Sequence, residues 1–322
     1  MKLAFNVTTC EGDCDFLADE NETKRQMEGY DGLELQVLDD PAEGLIDPAL
    51  ITGLHMACIP CWYALWTQDE QALRAEFRDL AAAERYYGGL SRETLLDKFR
   101  RDLFYAERFG AEYLVFHIAE STVEESFTER YQRTDEQICE ACADMLNILF
   151  EGREDGTLLL LENLWQPGMN LRRPEITRDM LAAVRYPRKG VMLDTGHLMN
   201  TNTALRTQEE AAVYIHSVLD AHERTGFDLC EAARGMHLNA SLSGEYAERI
   251  KKDPPVLSGS YAQRTSQMFF HVFERDQHKP FTAPCVKELV QRVAPDYLTT
   301  ELITLGPDDR REKNRQQLEA LR

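Results

Sequence analysis

Eight short apolar segments recur along the chain, and this repetition limits how the chain can fold more than any other feature. They lie at 2–8, 32–37, 53–59, 112–119, 157–164, 190–197, 235–242 and 296–303. Several are almost continuous in Leu, Val, Ile and Phe, as in LVFHIA and LLLLENL. Strands that are buried on both faces of a parallel sheet have this composition. The pattern therefore predicts eight parallel strands.

The residues between these segments carry the signals of helices. Residues 91–109 have Leu and Phe near helical spacing, and Gly110 follows where a left-handed helix end is favoured. Capping boxes predict helices that begin after Thr134 and Thr207. Further helices are predicted at 69–86, at 282–293 and in the polar C-terminal segment.

Strands that alternate with helices in this way predict a (β/α)8 TIM barrel, formed by residues 1–322 as a single domain. The alternative is an open doubly wound sheet. No glycine-rich phosphate loop follows the first apolar segment, and this disfavours the alternative. Residues 243–281 form a long irregular stretch between strands seven and eight, which we interpret as an insertion that acts as a lid or binds substrate.

The charge of the chain restricts its partners. It has 36 basic and 56 acidic residues, a formal net charge of −20. A strongly negative protein is not attracted to nucleic acid or to an anionic membrane surface, so neither partner is expected. The N-terminus lacks the pattern of a signal peptide, and we predict a cytoplasmic protein with reduced cysteines. The sequence leaves the oligomeric state open.

Residue types that bind metals lie near the carboxyl ends of six of the predicted strands. They are His55, His117, Glu162, Asp194 with His197, His237 and Glu301, and the segment before strand eight adds Asp276 and His278. In a barrel these strand ends meet at one mouth, where carboxylates and imidazoles would repel one another or remain unsatisfied without a cation. Nitrogen and oxygen donors without thiolate suit Mn, Zn, Co, Fe or Mg. No organic cofactor is indicated.

Each of these residues has an ordinary structural explanation when it is taken alone. A single histidine on an apolar strand is more often a hydrogen-bonded core residue, and a strand-end carboxylate often caps a helix. The joint pattern favours a metal centre because packing alone rarely places so many such residues at one predicted face. His216 and His222 lie within a predicted helix and are assigned to packing.

Several motifs carry a resemblance to a known family. They are GYDGLEL (29–35), LLLEN (159–163), MLDTGH (192–197), MHLN (236–239), DQH (276–278) and Glu301 in TTELI. With these motifs the chain resembles the xylose isomerase-like TIM-barrel superfamily. That superfamily contains sugar isomerases and epimerases and the endonuclease IV enzymes (AP endonuclease family 2).

The resemblance to the sugar epimerases implies one divalent metal held by Glu162, Asp194, His237 and Glu301. It also implies that Glu162 and Glu301 move protons at the carbon next to a carbonyl, and that His197 contacts the substrate. A metal that polarises the carbonyl makes the neighbouring C–H bond more acidic. Two carboxylates can then remove and return its proton. Trp165, Asn239 and Lys279 are additional candidate contacts to a small carbohydrate or sugar phosphate, Trp165 because a flat aromatic face packs well on a sugar ring.

Endonuclease IV is the alternative within the same resemblance. Its three-zinc ligand set matches all nine residues: His55, His117, Glu162, Asp194, His197, His237, Asp276, His278 and Glu301. Such a cluster would activate water against a phosphodiester. The chain departs from that family in reading HLNASL after strand seven, KPFTAPC after the Asp-x-His pair, and Cys58 where a tyrosine is expected. These departures favour the isomerase or epimerase. A sugar-binding domain with a relict metal site is a third, non-catalytic hypothesis.

Overall fold

In the computed structural model, eight parallel strands close into a barrel in the order β1 to β8, and β8 pairs with β1. The structure describes residues 1–10, 12–154 and 156–322. The strands are β1 Lys2–Thr8, β2 Gly32–Gln36, β3 Ile51–His55, β4 Tyr113–His117, β5 Leu158–Glu162, β6 Lys189–Asp194, β7 Gly235–Leu238 and β8 Tyr297–Thr300. The predicted TIM barrel is confirmed, and each predicted strand is present.

Helices surround the barrel. They are α1 Glu20–Gln26, α2 Tyr63–Trp66, α3 Glu70–Phe77, α4 Leu80–Tyr87, α5 Arg92–Phe109, α6 Val123–Thr128, α7 Asp135–Leu149, α8 Pro174–Ala183, α9 Thr195–Asn200, α10 Gln208–Arg224, α11 Leu229–Ala232, α12 Gly244–Lys252, α13 Tyr261–Arg275, α14 Cys285–Val293 and α15 Pro307–Ala320. Two 3₁₀ helices lie at Asp15–Ala18 and Pro48–Leu50. The capping boxes at Thr134 and Thr207 and the left-handed Gly110 are present as predicted.

The predictions for residues 69–86 and 243–281 need correction. The helix predicted at 69–86 is two helices, because the backbone of Arg78 is left-handed (φ 72°) and Asp79 caps a new helix through its side chain. The stretch at 243–281 is not irregular, since it contains α12 and α13. A capping box formed by Ser260 and Gln263 begins α13.

Side chains fill the interior of the barrel, and the candidate functional residues lie at one end of it. Tyr113, Val115, Leu158, Leu160 and Met192 form a buried cluster between the strands, separate from the larger core between barrel and helices. Functional side chains of such barrels lie at the carboxyl end of the strands, here called the mouth. No helix within the described ranges is long and apolar enough to cross a membrane.

Candidate metal centre

The strand register brings the predicted ligands together at the mouth. His117 is aligned with Glu162 across β4 and β5, and Asp194 is aligned with His237 across β6 and β7. Glu301 directly follows the last residue of β8. Neighbouring strands of the closed barrel therefore present these side chains at similar height, and the ligand atoms form three groups.

The first group surrounds one ring nitrogen of His237. Its Nδ1 atom lies 3.1 Å from both Glu162 Oε1 and Glu301 Oε2. The same nitrogen lies 3.8 Å from Asp194 Oδ2. One proton on Nδ1 can serve only one of these three carboxylates, whereas a divalent cation among them would serve all three. Apart from its approach to His237 Nδ1, Glu301 Oε2 has no hydrogen-bond partner in the described part of the chain, which leaves it available to a metal.

The second group uses the other oxygen of Glu162. Glu162 Oε2 lies 3.2 Å from His55 Nε2 and 3.0 Å from His117 Nε2. The Nδ1 atom of His55 is 2.8 Å from the carbonyl oxygen of Met56, to which it can donate. That bond fixes the tautomer and leaves the Nε2 lone pair for a metal. Glu162 is fully buried and belongs to both groups.

The third group consists of His197, Asp276 and His278. Asp276 Oδ2 lies 2.9 Å from His197 Nε2 and 2.7 Å from His278 Nε2. The Nδ1 atoms of both rings face backbone carbonyl oxygens, of Asn163 at 2.9 Å and of Glu301 at 3.0 Å. Both imidazoles are therefore oriented with Nε2 toward the carboxylate, the arrangement that metal-ligating histidines have.

Asp194 combines the two roles that its position in the sequence left open. Its Oδ1 atom accepts a hydrogen bond from the backbone N–H of His197 and caps α9. Its Oδ2 atom accepts from Asn239 Nδ2 at 2.7 Å and faces the first group. The side chain of Asn163 bonds to the backbone N–H and C=O of Asp194. Asn239 thus fixes the carboxylate, and Asn163 fixes the backbone that carries it.

The close charges shift the pKa values in opposite directions. Burial lowers the pKa of the imidazoles, but Glu162 raises that of His117 to about 10, and Asp276 with Glu301 raises that of His278 to about 9. Burial raises the pKa of Glu301, but the nearby histidines hold it well below its usual range. The imidazole protons occupy lone pairs that a metal would use, so metal binding must release protons.

The residues present therefore fit divalent metal in all three groups. Within each group the ligand atoms lie within 4.8 Å of one another, and the donors are imidazole nitrogens and carboxylate oxygens. Such donors suit Zn, Mn, Fe, Co or Mg, and the geometry does not select among them.

Glu34 is a part of the site that the sequence analysis did not identify. Its carboxylate lies 3.0 Å from His237 Nε2, and it also accepts hydrogen bonds from Tyr113 at 2.7 Å and Thr299 at 3.0 Å. A carboxylate behind a ligating histidine fixes the ring and raises its basicity. The motif GYDGLEL contains Glu34, and a carboxylate in a buried β2 strand was the signal available.

The predicted substrate contacts lie in different places. Trp165 lines a cavity beside the metal ligands and its ring centroid lies 5.5 Å from that of His197. Asn239 is fully buried against Asp194, and Lys279 is exposed while its backbone pairs with that of Ala240. His271, outside the three groups, is 2.9 Å from the carbonyl oxygen of Ser126.

The cavity is walled on one side by the insertion. His117, His197 and Asp276 line it at the metal end, and Met268 and Phe269 of α13 line it on the side of the insertion. Arg264 anchors α13 by donating to the carbonyl oxygen of Glu76. The insertion therefore narrows the mouth to a pocket of small-molecule size.

The barrel and its cluster of histidines and carboxylates can now be compared with known protein families. A model of the family described as the xylose isomerase-like TIM barrel matches residues 80–239. The match confirms the resemblance read from the motifs, and the chain is a xylose isomerase-like TIM barrel. No curated protein sequence matches the chain.

The chain is also similar to several solved structures. The IolI protein with a binding zinc atom is 13% identical, with a TM-score of 0.51 over 100% of this chain and 98% of that chain. The 3-keto-D-glucoside 4-epimerase YcjR from E. coli is 12% identical, with a TM-score of 0.46 over 99% of both chains. A D-allulose 3-epimerase from Methylomonas sp. is 11% identical, with a TM-score of 0.46 over 99% of this chain and 96% of that chain. At such identities the likeness to IolI is a likeness of fold.

Proposed function

We propose that the protein is a divalent-metal-dependent isomerase or epimerase of a sugar or sugar derivative. The observation that carries this proposal is the placement of Glu162 and Glu301, each 3.1 Å from the same nitrogen of His237, beside a cavity that the insertion narrows. Two carboxylates from different strands thus approach one point, where a divalent metal would sit and would hold a substrate carbonyl between them. The family match and the negative net charge agree with a small substrate.

The chain's own residues account for the proton transfer. A bound divalent metal would polarise the substrate carbonyl and lower the pKa of the adjacent C–H bond. The low pKa values of Glu162 and Glu301 keep both carboxylates ionised at neutral pH, so either can accept that proton. Return of the proton to the former carbonyl carbon, while the neighbouring hydroxyl proton moves to the former carbonyl oxygen, gives an isomer. An epimer forms when the second carboxylate takes up a proton from solvent and delivers it to the opposite face of the same carbon. The family resemblance assigns His197, at the metal end of the cavity, a contact with a substrate hydroxyl.

The test joins metal content with proton exchange. Protein purified without added metal is analysed for elements, and hexoses and pentoses are then incubated with it in D2O and followed by NMR. We expect bound Mn, Co, Fe, Zn or Mg and deuterium at the carbon next to the carbonyl of at least one sugar. Glu301→Gln should lose most of the exchange, whereas Glu112→Gln, before β4 at the opposite end of the barrel, should keep it. Metal-loaded protein that exchanges no sugar proton would contradict the proposal.

A second candidate function is supported by the three metal groups. All nine residues of the endonuclease IV set lie within them, and Glu162 is shared by two groups. Three metals in one cluster would suit hydrolysis of a phosphodiester. Two or three zinc ions per chain together with cleavage of bis(4-nitrophenyl) phosphate or of abasic-site DNA would favour this candidate over the isomerase.

A further inference from the structure

The cavity beside the metal centre is mostly apolar, which is unusual for a site that takes a bare sugar. Away from His117, His197 and Asp276 at the metal end, its walls are mainly side chains such as Phe116, Met145 and Leu164, each no more than 8% exposed. A free aldose or ketose carries hydroxyl groups on nearly every carbon, and each would lose hydrogen bonds to water against such walls. The lining is therefore matched to an apolar group.

The polar exceptions lie together. The segments after β4 and β5 form an isolated antiparallel bridge at Ala119 and Gly168, and the backbone N–H of Glu120 donates to Pro167 at 3.3 Å. This pairing sets Glu120 beside Gln166 in the cavity wall. Gln166 is 9% exposed, and its Oε1 atom accepts no hydrogen bond from the residues that the structure describes. A buried acceptor without a donor is costly unless a ligand supplies one.

Flat side chains border the same space. Trp62 is held in place by a 2.9 Å hydrogen bond from its indole N–H to the carbonyl oxygen of Ala119, and Trp165 lies toward His197. Aromatic walls favour a planar ring, which can stack or pack edge to face against them. Phe269 of α13 also lines the cavity and is 47% exposed, so the apolar surface continues to the solvent edge.

We propose that the substrate of this site carries a hydroxylated aromatic group of phenol type, seated in the cavity with its hydroxyl donating to Gln166 Oε1. The inference rests on the proposed function in placing the sugar part of the substrate at the metal centre. It makes the substrate a sugar derivative with an aryl substituent, and Gln166 a specificity-determining residue.

The first test uses phenol and toluene as probes, because their binding does not depend on the identity of the sugar. Metal-loaded protein is titrated with each, and dissociation constants are measured by NMR. We expect phenol to bind at about 1 mM or tighter and more strongly than toluene. Gln166→Leu should weaken the binding of phenol roughly tenfold and leave the binding of toluene unchanged. Equal binding of the two probes, or no binding of phenol, would overturn the inference.

A second pair of variants covers the possibility that Gln166→Leu does not fold. Phe269→Ala should weaken the binding of both probes severalfold, because Phe269 lines the cavity. Phe270→Ala is the matched control, since Phe270 is 72% exposed and does not line the cavity. An equal response of the two variants would contradict the proposed location. Sugar proton exchange without phenol binding would refute this inference alone, and phenol binding without any exchange would refute the proposed function alone.

Discussion

The Nε2 atom of His237 lies 3.0 Å from the carboxylate of Glu34, on the side of the ring that faces away from Glu162. Both residues are essentially inaccessible to solvent. The bond assigns the remaining proton of the imidazole to Nε2 and directs Nδ1 toward the carboxylates of the first metal group. Glu34 is therefore a positioning residue for the proposed metal site.

We predict that Glu34→Gln lowers the affinity of the first group for metal about 10- to 100-fold, because a neutral amide orients His237 but does not raise its basicity. Competition with a chelator would measure the change, and circular dichroism would check the fold. Glu112→Gln serves as the control, since Glu112 is partly exposed and pairs with Lys2. Unchanged metal affinity in Glu34→Gln would show that Glu34 does not support the ligand.

The third metal group can be tested separately from the first. We predict that His278→Ala lowers the metal content by about one ion per chain, because His278 is one of only three ligands in that group. The first group, which includes Glu162 and Glu301, should retain its metal. Elemental analysis would measure both, with His216→Ala on α10 as control. An identical metal content in His278→Ala and the wild type would contradict a third site.

Asp102 should make stability depend on pH. It is buried, and burial raises its pKa to about 7, above the value of about 3.8 in the unfolded chain. Between these values the unfolded chain has released a proton that the folded chain keeps, so the free energy of unfolding falls as pH rises and levels off above about pH 7.

We expect Asp102→Asn to remove this loss, because an amide oxygen can still accept the hydrogen bond from the N–H of Ala57 at 2.9 Å. Relative to the wild type, the variant should gain about 2 to 3 kcal/mol in free energy of unfolding between pH 5 and pH 8. Urea unfolding at both pH values measures the difference. A constant difference between the two proteins would be inconsistent with a protonated Asp102.

Gly53 connects the packing of the barrel interior with the metal site. A Cβ atom on Gly53 would lie 2.1 Å from the ring of Tyr113, whose hydroxyl donates to Glu34. We predict that Gly53→Ala lowers the free energy of unfolding by about 1 to 3 kcal/mol and weakens metal binding as Tyr113 shifts. Guanidinium unfolding would measure the stability.

The double variant Gly53→Ala, Tyr113→Leu provides the control. The smaller side chain relieves the overlap, so the double variant should lose less stability than the sum of the two single variants. Strict additivity would mean that the ring of Tyr113 is not what the added methyl group meets.

The sequence was sufficient to predict the barrel because each strand is a short apolar segment and most are separated by helical patterns. It failed where local backbone geometry decides the outcome, as at Arg78, whose left-handed conformation divides a continuous helical pattern. In the insertion, the capping box at Ser260 was a visible signal for α13 that the irregular composition before it obscured.

For the candidate site, strand-end position identified seven possible ligands, and the Asp-x-His pair before strand eight added Asp276 and His278. The role of each one could not be predicted, because roles depend on which oxygen or nitrogen faces which neighbour. Asp194 illustrates this, since one of its oxygens caps α9 and the other faces the first metal group. Glu34 was missed because its partners come from β4, β7 and β8, far away in the sequence.

The two oxygens of Glu162 belong to different metal groups, 3.1 Å from His237 on one side and 3.0 Å from His117 on the other. A metal bound at one oxygen would draw electron density from the other oxygen and weaken it as a ligand. It would also fix the orientation of the carboxylate, and so the direction from which a second metal could bind. Loading of the two candidate groups would therefore be interdependent, and a titration with metal should give a stepwise or cooperative curve. Through Glu162, the occupancy of one group would set the metal affinity of the other.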